Sequence, residues 1–131
     1  RLVSDWSSDV CSSDLSAFGA TAVAAGAFGA HGLRGNVTER ALEIFETATR
    51  YQLTHALVLV AIAILMQILP EPPSSLSIGA VAIALGMVLF CGSLYGLSLG
   101  AARWLGAIAP LGGAAFIVGW LCLAVAGWKL T

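Results

Sequence analysis

Charge is what this sequence has least of. Only 10% of its 131 residues are Asp, Glu, Lys or Arg, against about 25% in an ordinary soluble domain. A water-soluble fold of this length needs a polar exterior, and too few charges remain to build one. Cysteine is scarce too. Cys11, Cys91 and Cys122 show no metal-ligand spacing, and the last two sit in apolar runs where a thiol acts as a small hydrophobe. Neither sign of charge dominates, with six basic and seven acidic residues, so nothing argues for nucleic acid as a partner. No Gly-Lys-Ser/Thr follows the Gly112-Gly113 pair, which excludes a phosphate loop there.

What is present is apolar, at 59% of residues and a mean hydropathy of +0.93, and it comes in long uncharged runs. The class this implies is an all-α polytopic membrane protein, a bundle of four transmembrane helices with the lipid bilayer as solvent. The first run spans Ser16 to Ala30. Its fifteen residues reach about 22 Å, short of a roughly 30 Å hydrocarbon core. The small residues from Ala22 to Ala27 also suit a signal peptide, an alternative that the hydrophobic remainder makes unnecessary. Tyr51 to Leu69 forms the second run and stops at Pro70-Glu71-Pro72-Pro73, which cannot continue a helix. The third runs from about Leu76 to Gly100, and the fourth from Trp104 or Pro110 to Trp128 with Lys129 as an interfacial anchor. Between the first two, Asn36 to Arg50 reads as a short amphipathic helix at the membrane surface. Asn36 and Glu39 would start it in the manner of a capping box. Val37, Ala41, Ile44, Phe45 and Ala48 share one face, with Glu39, Glu43, Glu46 and Arg50 on the other.

Residues 1–15 read differently. They hold three of the seven acids and a near-repeat, Ser-Ser-Asp-Val then Ser-Ser-Asp-Leu. Asp5 to Leu15 matches one reading frame of a common short-read sequencing adapter, including Trp6 and Cys11. The expectation is that 1–15 is non-native, that native sequence starts near Ser16, and that 16–131 is a single four-helix domain. Without that segment, five basic residues (Arg34, Arg40, Arg50, Arg103, Lys129) face four acids (Glu39, Glu43, Glu46, Glu71), for a net charge of +1. Long-read sequencing of the source locus tests this; these codons inside an uninterrupted native gene would refute it.

In lipid, helices associate by close packing, so small residues mark interfaces. Gly92, Gly96 and Gly100 form a double GxxxG ridge, the most specific such pattern here. Gly26 and Gly29 on the first run, and Gly112, Gly113 and Gly119 on the fourth, are the other candidate packing glycines. The polar residues His31, Tyr51, Gln52, His55, Ser93 and Tyr95 fall in one leaflet if the runs alternate in direction. His55 then lies about 6 Å below Tyr51 on one helix face. They are expected to form a polar layer near one mouth of the bundle, either tying helices together or handling protons. Two histidines without a placed carboxylate make a poor metal site, and no nucleophile–base pair is evident. No catalytic residue, metal or cofactor is therefore expected.

The segments GAFGAHGL (Gly26 to Leu33), TATRYQLTHAL (Thr47 to Leu57), LFCGSLYGLSL (Leu89 to Leu99) and PLGGAAFIVGW (Pro110 to Trp120) resemble the YgdD/YwdK-like small membrane proteins grouped as domain of unknown function 423. The resemblance covers nearly all of Ser16 to Trp128. It implies a multi-pass, four-helix protein of the bacterial inner membrane, with a first helix longer than the one here, and it implies no chemistry. Two readings of function follow. The first is a non-enzymatic structural, assembly or interaction protein, acting as a homo-oligomer or with a membrane-protein partner. The alternative is a small proton-coupled transporter or channel built on His31 and His55.

Overall fold

The computed structural model describes the backbone from Leu2 and the side chains from Asp14 onward. Trp6 and Cys11 therefore lie outside the described side chains. Five α-helices occur in order: α1 (Leu2–Phe28), α2 (Glu39–Ile68), α3 (Ser74–Gly86), α4 (Gly92–Ser98) and α5 (Leu105–Leu130). A π-helical turn, Gly29–Leu33, closes α1, and a second, Met87–Cys91, joins α3 to α4 in one rod. Among the described residues, three helices are long and apolar enough to cross a membrane: Glu39–Ile68, Ser74–Ser98 and Leu105–Leu130.

The turns explain the boundaries. Leu33 to Asn36 closes with Asn36 N–H donating to the Leu33 carbonyl at 2.9 Å, and Gly35 carries the positive φ (85°) that the third residue of a type II turn requires. Thr38, not Asn36, caps α2, accepting from the Ala41 N–H at 3.1 Å. Asn36 instead donates its side-chain amide to the Gly32 carbonyl. No Gly or Pro occurs from Glu39 to Ile68, so the helix runs unbroken until Leu69 goes extended ahead of Pro70. At the end of α4, Ala101 N–H reaches the Gly96 carbonyl (2.8 Å) and Gly100 N–H the Leu97 carbonyl (3.3 Å). With Gly100 at φ 86°, this is a Schellman closure.

The separate surface helix expected over Asn36 to Arg50 does not form. The amphipathic segment is not a separate surface helix but the first three turns of α2. Nothing at Arg50–Tyr51 breaks the helix, and its apolar face is used in packing. Phe45 (4% exposed) and Ala48 (0%) are buried, with the Phe45 ring edge-on to Phe28 and Tyr95.

Each helix packs on the next: α1 on α2, α2 on the α3–α4 rod, and the rod on α5. Among the described residues, α1 lies against no spanning helix but α2. The closest crossing joins α3 to α5 in antiparallel fashion. A Cβ on Gly112 would sit 2.4 Å from the Phe90 nitrogen, and one on Gly119 would sit 2.5 Å from Ile83 Cγ1 and 3.2 Å from the Gly79 carbonyl. Gly86 faces the Phe116 ring and the Gly112 carbonyl as closely. Glycine lets these backbones approach where lipid offers no hydrophobic drive. The core is Leu15, Ala56, Leu59, Ile62, Leu76, Ile83, Met87, Phe116 and Ala126. Outside it, Leu57, Val88, Leu111, Ile117, Leu121 and Trp128 are exposed, an apolar surface that hydrocarbon tolerates and water does not.

Candidate functional site

Two polar knots lie within the spanning region, centred on α2 residues three positions apart. The first is centred on Gln52, which is buried at 8% exposure. Its Nε2 donates to the Phe18 carbonyl and to Thr21 Oγ1, each at 3.0 Å. Its Oε1 accepts from the Tyr95 hydroxyl at 2.7 Å, while Thr21 donates to the Phe18 carbonyl. Gln52 thus joins α1, α2 and α4 through one side chain. A crevice of about 260 Å³ opens beside it, between α1 and the rod, with Thr21, Val88, Cys91 and Gly92 among its walls.

The second knot is centred on His55, 5% exposed. Trp120 Nε1 donates to His55 Nε2 at 3.3 Å, so the ring proton sits on Nδ1, where it meets the Tyr51 carbonyl at 2.7 Å. The imidazole stacks on Phe116 at 3.8 Å. Tyr51 and Trp120 also lie against it, and Phe90 backs the Tyr51 ring (centroids 4.7 Å apart) and the Phe116 ring. Both ring nitrogens are therefore engaged. Trp120 is the sixteenth residue of the 26-residue α5, far from the interfacial depth where indoles usually sit. Its N–H there needs an acceptor, and His55 is that acceptor.

The six expected polar residues divide. Tyr95 meets Gln52, and Tyr51 meets His55 through its carbonyl and a stacked ring at 5.8 Å. Ser93 is buried but bonds locally to the Phe90 carbonyl. His31 is exposed in the π-turn that ends α1 and joins neither knot. The knots also reach deeper than the mouth, to the middle of α5. Sequence reasoning missed Thr21, Phe116 and Trp120; an indole mid-way along an apolar run was the available signal. The packing glycines divide as well. Gly29 (against Phe45), Gly112 and Gly119 lie at close approaches, whereas Gly26, Gly92 and Gly113 face open space. Gly96 meets the tip of Leu105 and, at ordinary contact distance, Ala101, and Gly100 serves as the cap. Cys91 and Cys122 are free thiols. Among the described residues, no three His, Cys, Asp or Glu side chains gather in a metal-binding group.

A family model described as "protein of unknown function (DUF423)" matches residues 25–113, a stretch that contains both Gln52 and His55. This chain belongs to that family. The DUF423 relatives include the UPF0382 membrane protein YwdK of Bacillus subtilis, 45% identical over 108 residues, which cover 82% of this chain and 87% of the relative. The UPF0382 membrane protein SSP2132 of Staphylococcus saprophyticus is 44% identical over 111 residues, covering 83% and 88%. No solved structure matches. The relatives' names agree with three apolar helices of spanning length: this is a helical membrane protein of the DUF423 family.

Proposed function

We propose that this DUF423 member is a non-enzymatic, multi-pass protein of the bacterial inner membrane, with α1 as a fourth span, and that it serves assembly or interaction with another membrane helix. The observation that carries the reading is the use to which the polar groups are put. Gln52, Tyr95, Thr21 and both nitrogens of His55 are taken up by bonds to other parts of the bundle. Groups spent on fastening helices are not free to act on a substrate. The crevice between α1 and the rod, where Gly92 has open space, is the face offered to a partner helix or a second copy.

In native membranes, Gly92→Cys in a chain whose other cysteines are replaced should crosslink to one defined product, a partner or a second copy. No discrete product would sink the reading. The transport alternative needs His31 and His55 in one layer, yet His31 is exposed at the end of α1 and His55 is enclosed. A pH-dependent proton flux in proteoliposomes that His55→Ala abolishes would overturn the interaction reading in its favour.

A further inference from the structure

The charged turns that open α2 run down alongside the other spans and border a groove of about 470 Å³ against the rod. Arg40, Glu43, Glu46 and Arg50 line its α2 side, and Phe90 and Leu94 its rod side. Ring contacts fix the depth. Tyr51 meets Phe90 and Phe45 meets Tyr95, so Arg50 leaves α2 near the level of Phe90. The rod has 25 residues and is about 37 Å long, which overhangs a roughly 30 Å hydrocarbon core by about 4 Å at each end. Phe90 stands eight residues before Ser98, about 12 Å from that end of the rod. Arg50 is thus exposed about 5–8 Å inside the hydrocarbon, and Glu46, one turn nearer the headgroups, stands at its edge. A charge facing lipid at that depth needs a counter-charge or an acceptor. No described residue supplies one. The single ion pair among the described residues joins Arg40 to Glu43 at the rim, and Arg50 and Glu46 are paired neither with each other nor elsewhere.

We propose that this groove binds one phosphatidylethanolamine molecule from the surrounding leaflet. Arg50 holds the phosphate through its guanidinium fork, Glu46 accepts from the headgroup ammonium, and an acyl chain lies along Phe90 and Leu94. The order of the charges carries the assignment. Side chains on a helix tilt toward its N-terminus, which for α2 is the headgroup end, so Arg50 and Glu46 both reach outward and keep their order. The cation is the deeper and the carboxylate the shallower, by about 6 Å. A phospholipid with an amine headgroup presents its charges to match, phosphate deeper and amine outermost. Phosphatidylglycerol offers Glu46 no cation, and the quaternary amine of phosphatidylcholine has no N–H to donate. The ethanolamine ammonium has three such donors. The groove faces lipid at this depth, so the phosphate that reaches Arg50 belongs to a lipid. The inference rests on α2 and the rod crossing the membrane and not on the partner-binding role.

The full chain, purified in mild detergent, is incubated with equimolar phosphatidylethanolamine, phosphatidylglycerol and phosphatidylcholine of matched acyl chains. Retained lipid is read by native mass spectrometry. One phosphatidylethanolamine should be retained, favoured about threefold over either competitor, as expected of one exposed ion pair. Glu46→Gln should bring that ratio towards one while lipid is still retained, and Arg50→Gln should reduce retention of all three lipids. Lys129→Gln, in the last turn of α5 at the other end of the bundle, should change neither. Millimolar phosphoethanolamine should not displace the lipid, because the acyl chain contributes to binding. Equal retention of the three lipids by the wild-type protein would overturn the proposal without reference to any variant. A preference for phosphatidylglycerol would overturn it too, reducing the groove to a basic patch. So would a preference that survives Glu46→Gln, one that Lys129→Gln removes equally, or displacement by phosphoethanolamine, which would make the ligand a soluble one.

Discussion

At the scale of single residues, Gln52 is the most connected polar side chain of the spanning region. Gln52→Leu keeps the size but strands the Tyr95 hydroxyl and removes the two hydrogen bonds that the Gln52 amide donates to α1. Interhelical hydrogen bonds in membranes average about 0.6 kcal/mol and reach ~1.7, and stranded partners add to the loss. Gln52→Leu should therefore destabilise the protein by about 1–3 kcal/mol in mixed-micelle unfolding, and Tyr95→Phe, which removes one bond, by roughly 0.6 kcal/mol. Equal losses would show that the knot is not organised around Gln52. His55 and Trp120 make the complementary point. Each is awkward alone at mid-membrane depth, and each is the partner the other requires.

At the scale of elements, the tight helix crossing is set by glycines that are not the most regular in spacing. Gly112→Ala would drive a Cβ to 2.4 Å from the Phe90 nitrogen, a backbone atom that cannot step aside, and overpacking of this kind costs about 1–3 kcal/mol. Gly92→Ala has open space and should be neutral, or stabilising by up to about 1 kcal/mol from helix propensity. Paired unfolding measurements check the contrast, and the reverse order would refute the α3–α5 crossing. The Gly92–Gly96–Gly100 ridge was legible as a pattern because four-residue spacing is a local property. Its use was not, because Gly100 ends the helix in a left-handed turn and the π-turn at Met87–Cys91 re-aims the rod. Glycine spacing says which residues share a face, and a helix of ordinary 3.6-residue turns is assumed in saying so. One π-turn voids the assumption for residues on opposite sides of it. The same limit explains the amphipathic segment: a two-faced helix reads alike whether its apolar face meets lipid or, as here, α1 and α4.

At the scale of the whole molecule, α1 packs among the described residues on α2 and on no other spanning helix, which leaves the crevice between α1 and the rod open. If α1 spans as proposed, the loops at Arg34–Thr38 and Leu99–Trp104 share one face and the Leu69–Pro73 loop has the other. Arg34, Arg40, Arg50 and Arg103 gather on the first face and Lys129 on the second, which places the first in the cytoplasm by the positive-inside rule. Single cysteines at Gly35 and Ala101 should then resist an impermeant thiol reagent applied to intact spheroplasts, while one at Glu71 should label. Labelling of all three, or of Gly35 and Ala101 alone, would refute the arrangement.

That this is a helical membrane protein, and roughly where its apolar runs lie, is legible from the chain alone, as are Gln52, His55 and Tyr95 among the polar residues within them. Those are consequences of local composition, since a bilayer of known thickness reads hydropathy over some twenty residues at a time. That Gln52 and His55 belong to separate knots, that His31 belongs to neither, and which glycines carry the crossing emerge from the packing of the helices. Each of those depends on the rotation of one helix against another. Rotation is settled by packing among side chains distant in the chain, such as Phe116 on His55 and Phe90 on Gly112, and no local pattern records it.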